Sequence, residues 1–234
     1  MQRSSWWTEK LNGDVGQSLL IEPIFEISSQ FQHIVVARNR FLGRVLILDD
    51  VVQLAERDCS VYHEMMAHVP LCGLAEAARS VLIVGGGDGC LLGEVLKHTQ
   101  VERVRLVEID PAVIKAAQRW LDGICGDFHD HRVEVVIGDA REQVQKDPDC
   151  RFDAVIVDST DSIGPGTALF TPEFYSAVGR WLTYIGGSMA FVTASHSSES
   201  LKVPRREYRG SYYNSALHSA SFVLPSWWED ALAP

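Results

Sequence analysis

The feature that most constrains the fold is an apolar run that breaks into glycines, VLIVGGGDG at residues 81–89. A short aliphatic stretch without polar alternation is typical of a parallel strand that is buried on both faces. The glycines allow a tight turn and a close backbone approach to a ligand, although such turns also occur where a strand only packs against a helix. No Gly-Lys-Ser/Thr follows, which excludes a P-loop.

Similar strands alternate with helical patterns further along the chain. Strands are predicted at residues 104–110, 132–139, 152–160 and 188–194, and helices at residues 91–98, 111–121, 141–146 and 171–182. Pro111 fits the first position of its helix, where its missing N–H costs nothing. Because strand–helix alternation with right-handed crossovers builds a parallel sheet, we predict an α/β fold with a doubly wound sheet.

The chain before this alternation has a different pattern. Residues 18–27, 32–38 and 44–50 alternate apolar and polar side chains and are separated by turn residues, which predicts short strands. We therefore expect an N-terminal β-strand domain at residues 1–56 and a second, α/β domain at residues 57–234.

The second domain is predicted to open with a helix. Asp58 is a candidate N-cap, and the helix is expected to end at Pro70, which cannot continue the hydrogen-bond ladder. Val61, Met65 and Val69 recur at a spacing of four, so they predict the buried face.

The chain changes character again after residue 194. Residues 195–211 are polar and aperiodic, which predicts loop or disorder, whereas the aromatic and apolar residues that follow are suited to docking on a core.

Composition excludes several classes of protein. The 31 acidic residues outnumber the 21 basic ones, which argues against sequence-independent nucleic-acid binding. This balance fits a cationic ligand, but it also fits solubility alone. No apolar run approaches the ~20 residues of a membrane span, and the first residues lack the apolar stretch of a signal peptide. Five scattered cysteines without a CxxC pair suggest neither a disulfide framework nor a zinc site, so a cytoplasmic setting is expected.

Acidic side chains follow four successive predicted strands, namely Asp88, Glu108 with Asp110, Asp139, and Asp158 with Asp161. Ligands bind at the carboxyl ends of parallel strands, so these acids should converge on one crevice. Glu108 stands where an acid commonly accepts hydrogen bonds from ribose hydroxyls, whereas Asp110 fits better as a helix cap. Asp158 and Asp161 could hold an ammonium group or accept its proton, or they could only cap a loop.

Several motifs, taken in order, resemble a known family. GGGDG, VEID, DSTDSIGPG, VYHEMMAHVPL and YYNSALHSASFVLP look like the corresponding segments of the polyamine aminopropyltransferases, specifically bacterial spermidine synthases. The resemblance implies a small N-terminal β-domain, a Rossmann-like catalytic domain of the class I methyltransferase type, and a homodimer. It also implies transfer of an aminopropyl group from decarboxylated S-adenosylmethionine to putrescine, giving spermidine and methylthioadenosine.

The resemblance further implies roles for particular residues. Those expected to bind the nucleoside sulfonium co-substrate are Gln32, Gly85, Gly87, Glu108, Asp139, Ala140 and Pro165. Those expected to bind the diamine are Tyr62, His63, Asp88 and Asp161. Asp158 is expected to be the catalytic proton acceptor. No metal and no permanently bound cofactor are implied. Each role has a plainer alternative: His63, for example, could be a partly buried structural histidine.

The chemistry of such a reaction agrees with an acidic crevice. A carbon bonded to a sulfonium has a neutral thioether as its leaving group, so the leaving group needs no acid. The nucleophile is the obstacle, because a primary amine with a pKa near ~10.4 is almost wholly protonated at neutral pH. Carboxylates must bind that cation, align it with the C–S bond and accept a proton.

The chain also departs from the family pattern. Ser162 replaces a proline, Asp50 a glycine and Cys59 a glutamate. Between Ala194 and Tyr212 the chain is short by about fifty residues, so the C-terminal part of the sheet should lack its closing edge. A genuine deletion, a truncated product and a segment left out of the numbering would each explain this. The alternatives to an active enzyme are therefore an inactive homologue that binds nucleoside or polyamine, or only self-associates, and a methyltransferase on the same sheet.

Overall fold

The structure is a computed structural model that describes residues 4–9, 16–146, 151–160 and 201–223. These residues form two sheets, one of five antiparallel strands and one of four parallel strands with helices between them. The predicted fold class, a Rossmann-like α/β sheet with a small N-terminal β-sheet, is confirmed. The predicted helix at residues 171–182 and strand at residues 188–194 lie outside the described residues.

The small sheet is a meander in sequence order. Its strands are β1 (Ser5–Thr8), β2 (Ser18–Ser28), β3 (His33–Asn39), β4 (Gly43–Leu48) and β5 (Val51–Ala55). Asp49 and Asp50 form the turn between β4 and β5, and both have positive φ angles, 48° and 64°. This is the left-handed region that favours glycine, so the Asp50 that departs from the family pattern is held in a conformation which aspartate tolerates better than most residues.

The large sheet has the strand order β8-β7-β6-β9. Its strands are β6 (Ser80–Gly85), β7 (Arg103–Glu108), β8 (Val133–Ile137) and β9 (Ala154–Asp158), and its connecting helices are α2 (Cys90–Leu96), α3 (Pro111–Trp120) and α4 (Ala140–Lys146). The chain leaves β6 on one side through β7 and β8 and returns on the other side as β9. The order therefore reverses at β6, and such a switch point is where open α/β sheets bind ligands.

Helix α1 (Cys59–Gly73) has the predicted N-cap residue but corrects two expectations about this segment. The helix passes through Pro70 and ends three residues later; the burial of Leu71 and Cys72, each at most 2% exposed, offsets the missing proline N–H. Asp58 is the N-cap residue but makes no side-chain capping bond. Val61 is 41% exposed, so it is not part of the buried face.

The buried face of α1 packs in two directions. Met66, Ala67 and Leu71 join the core between α1, α2 and the large sheet, where they meet Ile83 and Leu92. His63 and Glu64 are also buried, although both are polar. Because buried polar side chains normally have hydrogen-bond partners, these two residues indicate that α1 makes polar contacts as well as apolar ones.

The segment at residues 201–223 docks on the other side of α1, as the aromatic content of its second half predicts. It contains the short helix α5 (Ser215–Ala220), capped by Asn214. Tyr213 is 1% exposed and packs on Met65, Val69 and Cys72. The backbone amides of residues 211–213 all donate to the Glu64 carboxylate, at 2.7 to 2.8 Å.

The described helices include none with the length and hydrophobicity of a membrane span.

Candidate active site

The glycine turn after β6 brings the ends of β6 and β9 together. Gly85 and Gly86 have φ angles of 79° and 67°, and the Gly86 amide donates to the Asp158 carbonyl at 2.7 Å. A Cβ on Gly85 would collide with that carbonyl oxygen. Glycine is therefore required here for close backbone approach as well as for its φ angle.

The Asp158 side chain lies at the end of β9, where it is almost wholly buried. Its Oδ1 accepts a hydrogen bond from the Tyr62 hydroxyl at 3.2 Å, whereas its Oδ2 is buried without a hydrogen-bond partner among the described residues. Burial and the neighbouring Asp88 carboxylate raise the pKa of Asp158 to about 6, against the opposing effects of His63 and Tyr62. A buried carboxylate oxygen without a partner is suited to receive a cationic donor.

His63 stands between the two carboxylates. Its Nδ1 lies 2.7 Å from the Cys59 carbonyl, which can only accept, so Nδ1 carries a proton. Its Nε2 lies 4.0 Å from Asp88 Oδ1 and 3.9 Å from Asp158 Oδ2. Burial, the largest effect, would lower the pKa of His63, but Asp88, Asp158 and the hydrogen bond to the Cys59 carbonyl together raise it. We refer to Tyr62, His63, Asp88 and Asp158 as the carboxylate cluster.

Asp88 is held in this cluster by the start of α2. Its Oδ1 accepts a hydrogen bond from the Cys90 backbone amide at 2.7 Å. The sequence prediction that Asp88 and Asp158 converge on one site is thus matched by their positions on either side of His63. Asp161 lies outside the described residues.

Two cysteine thiols meet beside the cluster, a feature that their sequence separation concealed. Cys59 opens α1 and Cys90 opens α2. A hydrogen bond between the two thiols lowers the pKa of Cys59 to about 7 and raises that of Cys90. A search for CxxC spacing misses this pair, because the two residues come from different helices.

Glu108 lies at the end of β7, next to the glycine turn. Its carboxylate accepts hydrogen bonds from the amides of Gly87 and Asp110, at 3.1 and 2.9 Å. A Cβ on Gly87 would lie 2.7 Å from Glu108 Oε2, so a larger residue at this position would displace the Glu108 carboxylate. Burial is the largest effect on Glu108 and raises its pKa to about 7, against the hydrogen bonds from the amides of Asp110, Gly87 and Ile109. A carboxylate has about four acceptor sites, so Glu108 keeps the capacity to accept a hydrogen bond from a ligand hydroxyl.

Gln32 and Asp110 join the small sheet to this edge of the large one. Asp110 caps α3 through a bond from the Ala112 amide at 2.9 Å, which confirms the capping role predicted for it. Its second oxygen accepts from Gln32 Nε2 at 3.1 Å and from Ser29 Oγ at 2.6 Å. The structure therefore places Gln32 near Glu108, in contact with the helix cap.

Asp139 and Ala140 lie at the end of β8. Asp139 accepts bonds from the Arg141 amide and guanidinium, with a closest contact of 2.6 Å, and hydrogen bonding to Arg141 lowers its pKa. Ala140 is 6% exposed and opens α4. Their expected contact with a nucleoside stays a prediction, and Pro165 lies outside the described residues.

Comparison with family models gives two matches that together span most of the chain. A model described as the spermine/spermidine synthase domain matches residues 59–213, and one described as the spermidine synthase tetramerisation domain matches residues 5–56.

Curated relatives agree with these models. A polyamine aminopropyltransferase of Ruegeria sp. is 35% identical over 280 residues, covering 97% of this chain and 98% of the relative. One from Shigella dysenteriae is 33% identical over 287 residues, covering 100% and 99%. The first alignment spans 280 positions and this chain has 234 residues, so the relative has at least 46 positions inside the aligned span that this chain lacks.

Solved structures show the same likeness. A spermidine synthase in complex with the transition-state analogue AdoDATO superposes with a TM-score of 0.70 at 40% identity, covering 76% of this chain. The Thermotoga maritima spermidine synthase gives a TM-score of 0.68 at 39% identity over the same share. The superposed part spans 62% and 61% of those two chains.

Proposed function

Because the chain belongs to the spermine/spermidine synthase family, we propose that it transfers an aminopropyl group from decarboxylated S-adenosylmethionine to putrescine, forming spermidine and methylthioadenosine. One observation supports this most directly: two largely buried carboxylates, Asp88 and Asp158, lie 4.0 and 3.9 Å from His63 Nε2, and one Asp158 oxygen has no hydrogen-bond partner among the described residues. A cationic amine would satisfy that oxygen and both negative charges.

The reaction is a substitution at carbon. The putrescine nitrogen attacks the aminopropyl carbon attached to the sulfonium, a C–N bond forms, and the C–S bond breaks with its electron pair going to sulfur. The attacking nitrogen is the neutral amine, and the proton that the putrescine ammonium loses to free its lone pair passes to Asp158. The raised pKa of Asp158, about 6, makes it a better proton acceptor than an ordinary aspartate. Alignment of the amine with the C–S bond contributes the larger share of the acceleration.

Tyr62 and His63 position the reacting carboxylate in this proposal. The Tyr62 hydroxyl donates to Asp158 Oδ1 and so directs the second oxygen, Oδ2, toward the amine. The His63 ring is fixed by its bond to the Cys59 carbonyl and lies edge-on to Tyr62. Both side chains project from one turn of α1, which lets that helix form one wall of the diamine site.

The nucleoside part of the co-substrate is assigned to the glycine turn and to Glu108. Gly85 and Gly87 let the turn at the end of β6 approach Asp158 and Glu108 closely, and the Glu108 carboxylate can accept ribose hydroxyls. Gln32, Asp139, Ala140 and Pro165 remain the proposed contacts around the rest of the nucleoside.

A second candidate is an inactive homologue that binds nucleoside or polyamine. It is favoured by one observation, the 46 or more aligned positions that the relative has and this chain lacks. If those positions supply a wall of the site, the nucleoside could bind without turnover.

One assay separates these possibilities. The purified chain is incubated with putrescine and decarboxylated S-adenosylmethionine, and methylthioadenosine and spermidine are quantified. We expect both products in equal amounts. Binding of methylthioadenosine without turnover would instead support the inactive homologue. Methyl transfer from intact S-adenosylmethionine would contradict both the aminopropyltransferase and the inactive homologue, and would show a methyltransferase.

The assembly is also a proposal. A homodimer follows from the sequence resemblance, whereas the tetramerisation domain matched at residues 5–56 favours an assembly larger than a dimer. Light scattering of the purified chain distinguishes the two.

Methylthioadenosine binding should depend on pH through Glu108. The pKa of this carboxyl is raised from 4.5 to about 7, and only the ionised form accepts both ribose hydroxyls fully. The dissociation constant should therefore rise as the pH falls through about 7, by up to about tenfold per pH unit below it. Calorimetric titrations at a series of pH values measure this directly.

The matched control is Glu108→Gln, which has no ionisable group at this position. It should bind methylthioadenosine weakly at every pH, and its dissociation constant should no longer change with pH. A wild-type affinity that stays constant across the same range would contradict a ribose-binding role for the ionised carboxylate.

A further inference from the structure

We propose that this chain also binds a divalent cation of the zinc class, through His63 Nε2, Asp88 Oδ1 and Cys90 Sγ. One ligand atom from each of these three residues lies within 4.8 Å of the other two, and the three side chains are buried or largely buried. Asp88 and Cys90 lie two residues apart where the glycine turn meets α2, and the fold brings His63 of α1 to them.

The donor set suits zinc. One imidazole nitrogen, one thiolate sulfur and one carboxylate oxygen are ligand types that Zn²⁺ binds at about 2.0 to 2.3 Å in tetrahedral sites. Magnesium and calcium prefer oxygen ligands throughout, so a thiolate and an imidazole select against them. The 4.0 Å between His63 Nε2 and Asp88 Oδ1 needs only a small contraction to reach the ligand spacing of such a site.

The histidine is already oriented as a metal ligand would be. Metal-binding histidines generally donate their second ring N–H to a carbonyl or a carboxylate, which fixes the tautomer. Here Nδ1 donates to the Cys59 carbonyl at 2.7 Å, so Nε2 is the ring nitrogen that faces the carboxylates of Asp88 and Asp158.

A fourth ligand position is also available nearby. Asp158 Oδ2 lies 3.9 Å from His63 Nε2 and is buried without a hydrogen-bond partner among the described residues. Asp158 is not among the three residues whose ligand atoms lie within 4.8 Å of one another, so we assign the fourth position of a tetrahedral site to a water molecule, which can donate a hydrogen bond to Asp158 Oδ2. Asp88 and Asp158 together supply the negative charge that a buried dication requires.

If the chain has the proposed function, zinc binding would interfere with binding of the diamine. Asp88 and Asp158 are the carboxylates assigned to the amine, so a cation held by Asp88 and His63 would occupy the same space. The cation would then act as a competitive inhibitor of putrescine. The ion binding itself does not depend on any enzymatic activity.

The test measures metal binding directly. Tag-free, reduced protein is titrated with Zn²⁺ by calorimetry at mildly alkaline pH, and with Co²⁺ to detect the charge-transfer absorption of a thiolate ligand. We expect one ion per chain. Cys90→Ala should weaken binding by at least about tenfold and remove the cobalt–thiolate band, since loss of even an outer partner costs this much.

Two variants keep the result interpretable. Cys125→Ala removes another partly buried thiol that lies outside the three-residue set and should leave the affinity and the band unchanged. Cys90→Ser keeps the side-chain size, so a shared loss in both Cys90 variants reports the missing sulfur rather than altered packing. Failure of the wild type to bind one ion, or equal binding by Cys90→Ala, would overturn the site.

Competition with putrescine is measured separately. If putrescine weakens the apparent zinc affinity, the ion and the amine share the carboxylates. If the chain binds one zinc ion but forms no methylthioadenosine, the metal site is supported and the proposed function is wrong. If it forms methylthioadenosine but binds no zinc, the metal site is wrong and the proposed function is supported.

Discussion

Asp158→Asn is expected to lower kcat by between about 10² and 10⁴-fold, the range that general-base catalysis typically supplies. Asparagine keeps an oxygen that can accept from the Tyr62 hydroxyl, so the local structure should persist. It cannot take a proton from the attacking amine, and it removes one of the two negative charges that hold the cation. The measurement is steady-state formation of methylthioadenosine together with thermal unfolding of the variant.

The matched control for this substitution is Asp122→Asn, at an exposed position in the turn after α3. It makes the same chemical change away from the carboxylate cluster and should leave kcat unchanged. If Asp158→Asn retained wild-type kcat while remaining folded, Asp158 would not be the proton acceptor.

Glu64→Gln is expected to lower the free energy of unfolding by about 3 kcal/mol, because hydrogen bonds to a charged group contribute about 1.5–3 kcal/mol each. The Glu64 carboxylate is fully buried and accepts from the amides of Ser211, Tyr212 and Tyr213. A glutamine side chain has one oxygen in place of two, so its NH₂ group would face an amide donor. Urea unfolding measures the change.

Limited proteolysis gives a second readout for the same variant. Glu64 anchors residues 211–213 to α1, so weakening it should expose the segment at residues 201–210 to cleavage. Glu76→Gln, on an exposed side chain beyond α1, is the control and should alter neither stability nor cleavage. Identical behaviour of the two variants would mean that the three amide bonds contribute nothing measurable.

The sequence predicts much of the fold, because the signals are local. The glycine turn, Pro111 at the start of α3 and the alternation of strands and helices each reflect short-range preferences. The convergence of Asp88 and Asp158 follows as well, since the carboxyl ends of parallel strands share one edge. Even the cap formed by Asp110 could be foreseen from its position before a proline.

Other features depend on tertiary contacts that no spacing reveals. Pro70 lies inside α1 because the burial of the next residues outweighs a local rule, and Val61 lies at the surface despite its periodicity. Glu64 looks like an ordinary helical surface residue until residues 211–213 cover it. The meeting of Cys59 and Cys90 likewise depends on how α1 crosses α2.

The bonds from Ser29 and Gln32 to Asp110 have a consequence for the modularity of the chain. The turn between β2 and β3 supplies two donors to the residue that caps α3, and Ile34 and Leu46 of the small sheet share a core with Val113 of that helix. The N-terminal meander therefore could not be replaced by another domain without the loss of these contacts. Removal of the meander would take two hydrogen bonds from the residue that caps α3 and expose the apolar core that the two sheets share. We therefore expect both sheets to unfold as a single cooperative unit.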